Sequence, residues 1–211
     1  MEGLVEAFAT AMVAFLVTVD PLGIVPLFIA ITRGSTPAAR RRMAGKGVLI
    51  GGALLFGFAL AGERLLGALG IGLPAFRIAG GLFLFLLALE MVFERRTGRR
   101  GDTASHLADE RHGEDVAVFP LGIPLIAGPA AITSVILAMD RSSAVPLGEL
   151  AVAAALLATL LATWLALLLA ARLDRLLGPT LIGVLSRLLG LLLGALAVQY
   201  VLDGARAAFG L

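Results

Sequence analysis

Residues 20–26 read Asp20-Pro21-Leu22-Gly23-Ile24-Val25-Pro26. They lie about 15 residues inside the apolar run 5–31, roughly 22 Å along a helix at 1.5 Å per residue. No ordinary helix interior carries that string. Pro21 and Pro26 each remove a backbone donor, so the hydrogen-bond ladder opens here. Open backbone at membrane depth is tolerated only where protein or a water-filled cavity covers it. Asp20 followed by Pro21 is the preferred order for an N-cap and a first helical residue. The string therefore starts a half-helix that runs to Ile31, its free N–H groups facing the membrane interior.

Working outward, the same device recurs. Pro120-Leu121-Gly122-Ile123 repeats Pro21-Leu22-Gly23-Ile24, and Arg187-Leu188-Leu189-Gly190 echoes Arg77-Ile78-Ala79-Gly80, at offsets of 99 and 110 residues and in the same order. Pro120, Gly122, Pro124, Gly128 and Pro129 cluster in the second copy, after which Gly128-Pro129 starts another half-helix carrying Thr133 and Ser134.

The rest of the chain makes lipid the solvent. Of 211 residues, 59% are hydrophobic and 15% charged, and mean hydropathy is +0.99. A soluble domain is nearer about 45–50% apolar and 25% charged. Runs long enough to span a bilayer, about 20 residues each, fall at 5–31, 47–69, 72–93, 116–139, 150–171 and 181–202. Six spans divide into a first repeat, 1–93, a hydrophilic link, 94–115, and a second repeat, 116–211, within one membrane domain. Three spans per half make the second half enter from the opposite side, so the expected fold is all-α with two inverted-topology three-helix repeats, spans 1 and 4 broken near the midplane.

The 17 basic residues lie mostly in the links. The first, third and fifth links carry five, five and two (Arg172 and Arg175), against four on the other side: Arg64, Arg77, Arg141 and Arg206. By the positive-inside rule this bias puts the basic links in the cytoplasm and both termini outside a cytoplasmic (inner) membrane. It is an orientation signal and not a nucleic-acid patch. Glu2 and Glu6 precede the first apolar run where a signal peptide would be basic, so that run reads as a mature span. Ser35-Thr36-Pro37 reads as an N-cap before a short amphipathic helix along the surface.

For each polar residue at depth two readings stand side by side. The paired prolines are kinks that shape the bundle, or they line a substrate site made of Asp20, Pro21, Gly23, Pro26, Pro120, Gly122, Pro124, Gly128, Pro129, Thr133 and Ser134. There the half-helix N-termini hold an anionic group, and carbonyls freed near Gly23, Gly122 and Pro124, with Thr133 and Asp20, receive a cationic one. Asp20 is an N-cap, a ligand for a cationic group or a protonatable coupling site. Arg77 and Arg187 snorkel to headgroups or take part in gating. Glu63 and Arg64 mark the outer end of span 2, and Glu90 is interfacial. Gly47…Gly51 and Gly190…Gly194 are small-xxx-small faces for close helix contact, and Tyr200 reads as an interfacial anchor.

Several function classes drop out. There is no cysteine, and His106 and His112 both fall in the hydrophilic link, so neither a thiolate site nor a histidine metal site at membrane depth is expected. No metalloprotease, P-loop or nucleophile-elbow pattern occurs, so no enzyme, metal or cofactor is expected and transport would be passive or gradient-driven. The partners expected are a small-molecule substrate and membrane lipid, with a homo-oligomer left open.

The chain resembles the MarC family of inner-membrane proteins, which includes the SnatA-like neutral amino acid transporters. The resemblance rests on the run from Asp20 to Phe28, on Leu73-Pro74-Ala75-Phe76-Arg77-Ile78-Ala79-Gly80-Gly81, and on the run from Val118 to Thr133 that includes Ile126-Ala127-Gly128-Pro129. It implies six spans in two inverted repeats, as in the LysE-like superfamily, and, for the SnatA-like members, proton-linked movement of small neutral amino acids such as glycine and alanine; the mechanism expected from the two broken spans is gradient-driven alternating access around a midplane site. A metabolite or drug exporter of the same architecture, a channel, and a membrane protein without transport activity are the rivals.

Overall fold

The computed structural model describes residues 2–32, 34–93 and 116–210. The hydrophilic link 94–115, with His106 and His112 and the expected division of the chain, lies outside the described residues.

Every described element is helical: α1 (Glu2–Val19), α2 (Pro21–Ile31), α3 (Pro37–Ala68), α4 (Leu73–Val92), α5 (Ala117–Ile126), α6 (Pro129–Ser142), α7 (Gly148–Leu168) and α8 (Ala170–Phe209). Five stretches are long and apolar enough to cross a membrane, Gly3–Ile31, Pro37–Ala68, Leu73–Val92, Gly148–Leu168 and Gly183–Phe209. The pair α5 and α6, bent by 53° at their junction, makes a sixth where the two helices together count as one broken span. The protein is thus a multi-pass all-α membrane protein. Gly3 and Glu6 of α1 and Tyr200 of α8 line one cavity, so the start of α1 and the last turns of α8 lie at one end of the bundle, the terminal face. Leu49, Leu60, Phe83, Leu86, Trp164 and Leu191 are among the large apolar side chains left exposed, as residues solvated by lipid are.

Two boundaries differ from expectation. The Thr36 hydroxyl does accept from the Ala39 N–H at 3.2 Å, but the helix it caps is α3 itself, 32 residues long, and not a separate surface helix. Nothing between Pro37 and Ala68 breaks the ladder, and the Ala- and Arg-rich first turns favour its continuation. The link expected between the last two spans is likewise helical. Only Leu169 separates α7 from α8, which runs for 40 residues.

The two halves are built through each other. α3 of the first half packs on α5 and α6, whereas α7 of the second half packs on α1 and α2. The third helices, α4 and α8, make the most extensive contact of all. This exchange interlocks residues 2–93 with residues 116–210. Glycines set the close approaches. A Cβ at Gly81 of α4 would lie 2.7 Å from the Ala197 carbonyl oxygen of α8, and one at Gly190 of α8 would lie 2.8 Å from Met91 Cβ of α4. On α3, a Cβ at Gly51 would come within 2.6 Å of Ile126 and 3.1 Å of the Gly122 carbonyl oxygen. The small-xxx-small faces at Gly47…Gly51 and Gly190…Gly194 are therefore joints between the halves.

Candidate functional site: two helix breaks in one core

Val19, Ile24 and Val25 around the first break, and Ala127 and Ala131 around the second, belong to one contiguous buried cluster with Leu121, Leu125 and Ile126. At the first break Asp20 is 3% exposed and takes left-handed backbone angles, φ 53° and ψ 68°. Aspartate is one of the few residues with a Cβ that visit this region, because its short polar side chain bonds locally. Here Oδ1 accepts from the Gly23 N–H at 3.1 Å, which caps α2. A Cβ on Gly23 would overlap that carboxylate, so glycine at 23 is what lets Asp20 fold back. The N-terminus of α2 is thus occupied by the chain's own carboxylate. Pro21 and Pro26 sit in α2 as its first residue and an interior one.

The second break is organised differently. In α5, Phe119 (φ −138°, ψ 122°) and Ile123 (φ −133°, ψ 122°) are extended, each immediately before a proline that disfavours helical angles in its neighbour. The bonds to Pro120 and Pro124 are cis. The Gly122 carbonyl, expected to be free, accepts from the Ala127 N–H at 3.0 Å. The coil widens to a five-residue reach and recovers an acceptor that a four-residue ladder would have lost. α6 then begins at Pro129 behind Gly128, with no side chain capping its first turn.

The hydroxyls along the core sharpen the contrast. Thr18, Thr159 and Thr163 are buried, and each donates to the carbonyl four residues earlier, at 2.9, 2.9 and 2.8 Å. Ser134, on α6 and 0% exposed, has no hydrogen-bond partner at Oγ. Buried hydroxyls without a partner are rare because desolvation is uncompensated. Thr133 turns its methyl against Gly80 of α4, where a Cβ would clash with it.

The two arginines matched in sequence differ in exposure. Arg77 Nε and Nη2 both donate to Asp140 Oδ2 of α6, at 2.8 and 2.5 Å, with Asp140 only 11% exposed. This bond ties the first half to the second near the terminal face. It stands eleven residues along α6 from Pro129, roughly 16 Å at 1.5 Å per residue. Arg187 is exposed on α8. Asp140 was not singled out from the sequence, because Asp140-Arg141 at the end of an apolar run reads as a span boundary. Its partner lies 63 residues away. Tyr200 is not the expected interfacial anchor: it is 3% exposed, with the Arg141 guanidinium 6.0 Å from its ring centroid. Among the described residues no group of three or more His, Asp or Glu could hold a metal ion.

Comparison with known proteins agrees with this architecture. The chain matches the model of the MarC family integral membrane proteins over residues 5–209. A UPF0056 membrane protein of Methanocaldococcus jannaschii is 37% identical over 206 residues, covering 96% of this chain and 98% of the relative. The UPF0056 inner membrane protein YhgN of Escherichia coli strain K12 is 32% identical over 147 residues, 70% of this chain and 71% of the relative. A UPF0056 membrane protein of Aquifex aeolicus is 31% identical over 206 residues, 98% of this chain and 95% of the relative. No solved structure matches the chain. With the match running from the first span to the last, the chain belongs to the MarC family of integral membrane proteins.

Proposed function

We propose that this protein is a transporter of small solutes, with small neutral amino acids such as glycine and alanine as substrates, working by gradient-driven alternating access around the two helix breaks. The observation that carries this reading is Ser134 Oγ, wholly buried and unpartnered in a helix whose N-terminus has no side-chain cap. An unpartnered hydroxyl at membrane depth is costly, and a bound polar solute would recover that cost. Because Asp20 caps α2, the substrate carboxylate belongs at the start of α6, next to Gly128, Pro129 and Ser134, where the helix dipole favours negative charge. Thr133 and the polar backbone around Pro120, Gly122 and Pro124 complete the pocket.

The reciprocal packing divides the spans into two exchanged bundles, α1–α2 with α7 and α5–α6 with α3. Rocking of one bundle against the other would expose the breaks to each side in turn. The Arg77–Asp140 pair is the gate on the terminal face in this scheme, and that face is the outer one if the basic links are cytoplasmic. Protonation of Asp20 would remove the negative charge from the start of α2 and couple the motion to a proton gradient. No covalent chemistry is assigned to any residue.

A second reading has its own observation. An apolar groove of about 520 Å³ runs between α3 and α7, walled by Val48, Leu49, Phe56, Leu157, Leu161 and Trp164. It would admit an apolar metabolite or drug from the bilayer, making the protein an exporter. Uptake of labelled glycine and alanine into proteoliposomes, with and without an imposed pH gradient and beside empty vesicles, tests the first reading. Saturable uptake that follows the gradient supports it; no uptake by folded protein transfers the weight to the exporter or to a protein without transport activity. Uptake that never saturates marks a channel.

A further inference from the structure

A polar cavity lies at the terminal face, apart from the helix breaks. It measures about 180 Å³. On that measure one water needs roughly 10–15 Å³, so there is room for a solute of several heavy atoms. Its α1 wall is Gly3, Glu6, Ala7 and Thr10, a spacing of three, four and seven residues that puts them on one helix face. Arg141 and Ser142 of α6 and Tyr200 of α8 face them.

The Arg141 charge in this cavity is only loosely held. At the neighbouring position Asp140 is closed off by two short bonds from Arg77. Arg141 instead reaches Asp203 only at 3.7 Å, beyond the roughly 2.7–2.9 Å of a charge-assisted hydrogen bond. Asp203 accepts from Gln199 Nε2 through its other oxygen, Oδ1, at 2.7 Å. The Arg141 side chain is 46% exposed, and its planar fork keeps donors available. Glu6 has no ion-pair partner among the described residues. Tyr200 and Ser142 are 3% and 6% exposed, and neither hydroxyl has a hydrogen-bond partner among the described residues. Two hydroxyls that open on the cavity without a partner, beside one guanidinium and one carboxylate, suit a molecule that carries both charges.

We infer that this cavity binds a small zwitterion: Arg141 takes its carboxylate, Glu6 its ammonium group, and the Tyr200 and Ser142 hydroxyls hydrogen-bond to it. The site goes beyond the transport reading, because occupancy is measurable without flux. Arg141 stands twelve residues past Pro129, roughly 18 Å along α6 at 1.5 Å per residue, so this is a vestibule and not the break itself.

The chain has no cysteine, so Thr10→Cys places a single thiol in the cavity wall. The rate at which a thiosulfonate reagent modifies it is measured on the full chain in detergent, with glycine, acetate or methylamine present. Glycine is expected to slow the reaction in a saturable way, and acetate and methylamine to do so only at far higher concentration. Adding Tyr200→Phe, which deletes one oxygen, is expected to raise the glycine concentration needed about tenfold, the usual effect of losing one hydrogen bond to a charged group. Arg141→Gln is expected to abolish protection. Ala7→Cys, on the same wall, serves as reporter if Thr10→Cys does not fold. No protection by glycine, protection by acetate equal to that by glycine, or protection untouched by Tyr200→Phe and Arg141→Gln would each overturn the assignment.

Discussion

At Asp20 the chain breaks and carries on as one 29-residue span, whereas at Gly128 it turns through 53°. Both breaks rest on the same device, proline at the first position of a half-helix. They differ in the partner offered to that half-helix. The first supplies its own anion, with the Asp20 carboxylate on the Gly23 N–H. The second has a glycine where the aspartate would stand, an uncapped start to α6 and an unpartnered hydroxyl at Ser134. A helix N-terminus inside a membrane needs a negative partner. One half of the molecule carries that partner in its sequence; under the proposed function the other leaves the place for a ligand.

The largest effect is expected where the second break leans on α3. Gly51→Val would force a side chain into Ile126 and the Gly122 carbonyl, for a loss of about 3 kcal/mol by overpacking. Thermal unfolding in detergent should show it, while Gly57→Val on the same helix, which meets nothing, should melt as the parent does. The first break sharpens the comparison next. Asp20→Ala loses the cap and leaves a left-handed residue with no local bond, about 2 kcal/mol in all. Asp20→Asn keeps both the cap and the backbone angles, so it should melt close to the parent and yet lose the proton dependence of flux. Unchanged pH dependence in that variant would remove Asp20 from coupling.

Smaller effects should separate gate from break. Arg77→Gln leaves the part-buried Asp140 without its partner, a loss of about 1–2 kcal/mol, between exposed and fully buried ion pairs. Arg77→Gln with Asp140→Asn should recover part of it, and a double-mutant cycle on melting temperatures would read the coupling. Ser134→Ala should be the mildest and opposite in sign. Removing an unpartnered buried hydroxyl should stabilise the fold by up to about 1 kcal/mol.

Much of this was legible in the sequence, for a local reason. Asp20-Pro21 and Gly128-Pro129 act on the backbone within a turn or two, so their half-helices appear in the structure where the sequence put them. Gly47…Gly51 could be read as a close contact, but not as a contact with α5, because the partner is chosen by the way the halves interlock. Gly122 and Asp140 show the same limit. The carbonyl of Gly122 was recovered by a wider coil, and Asp140 acquires its meaning from Arg77 in the other half. Tyr200 looked like an anchor because its depth was readable and its rotation towards Arg141 was not.

The most direct test of the asymmetry between the breaks is uptake of labelled glycine by Ser134→Ala beside the parent protein in the same proteoliposomes. The expected result is saturable, gradient-driven uptake by the parent and a clear loss of uptake by Ser134→Ala, with a melting temperature at or above the parent's. Equal uptake by the two folded proteins, or none by either above empty vesicles, would contradict the placement of the substrate at α6.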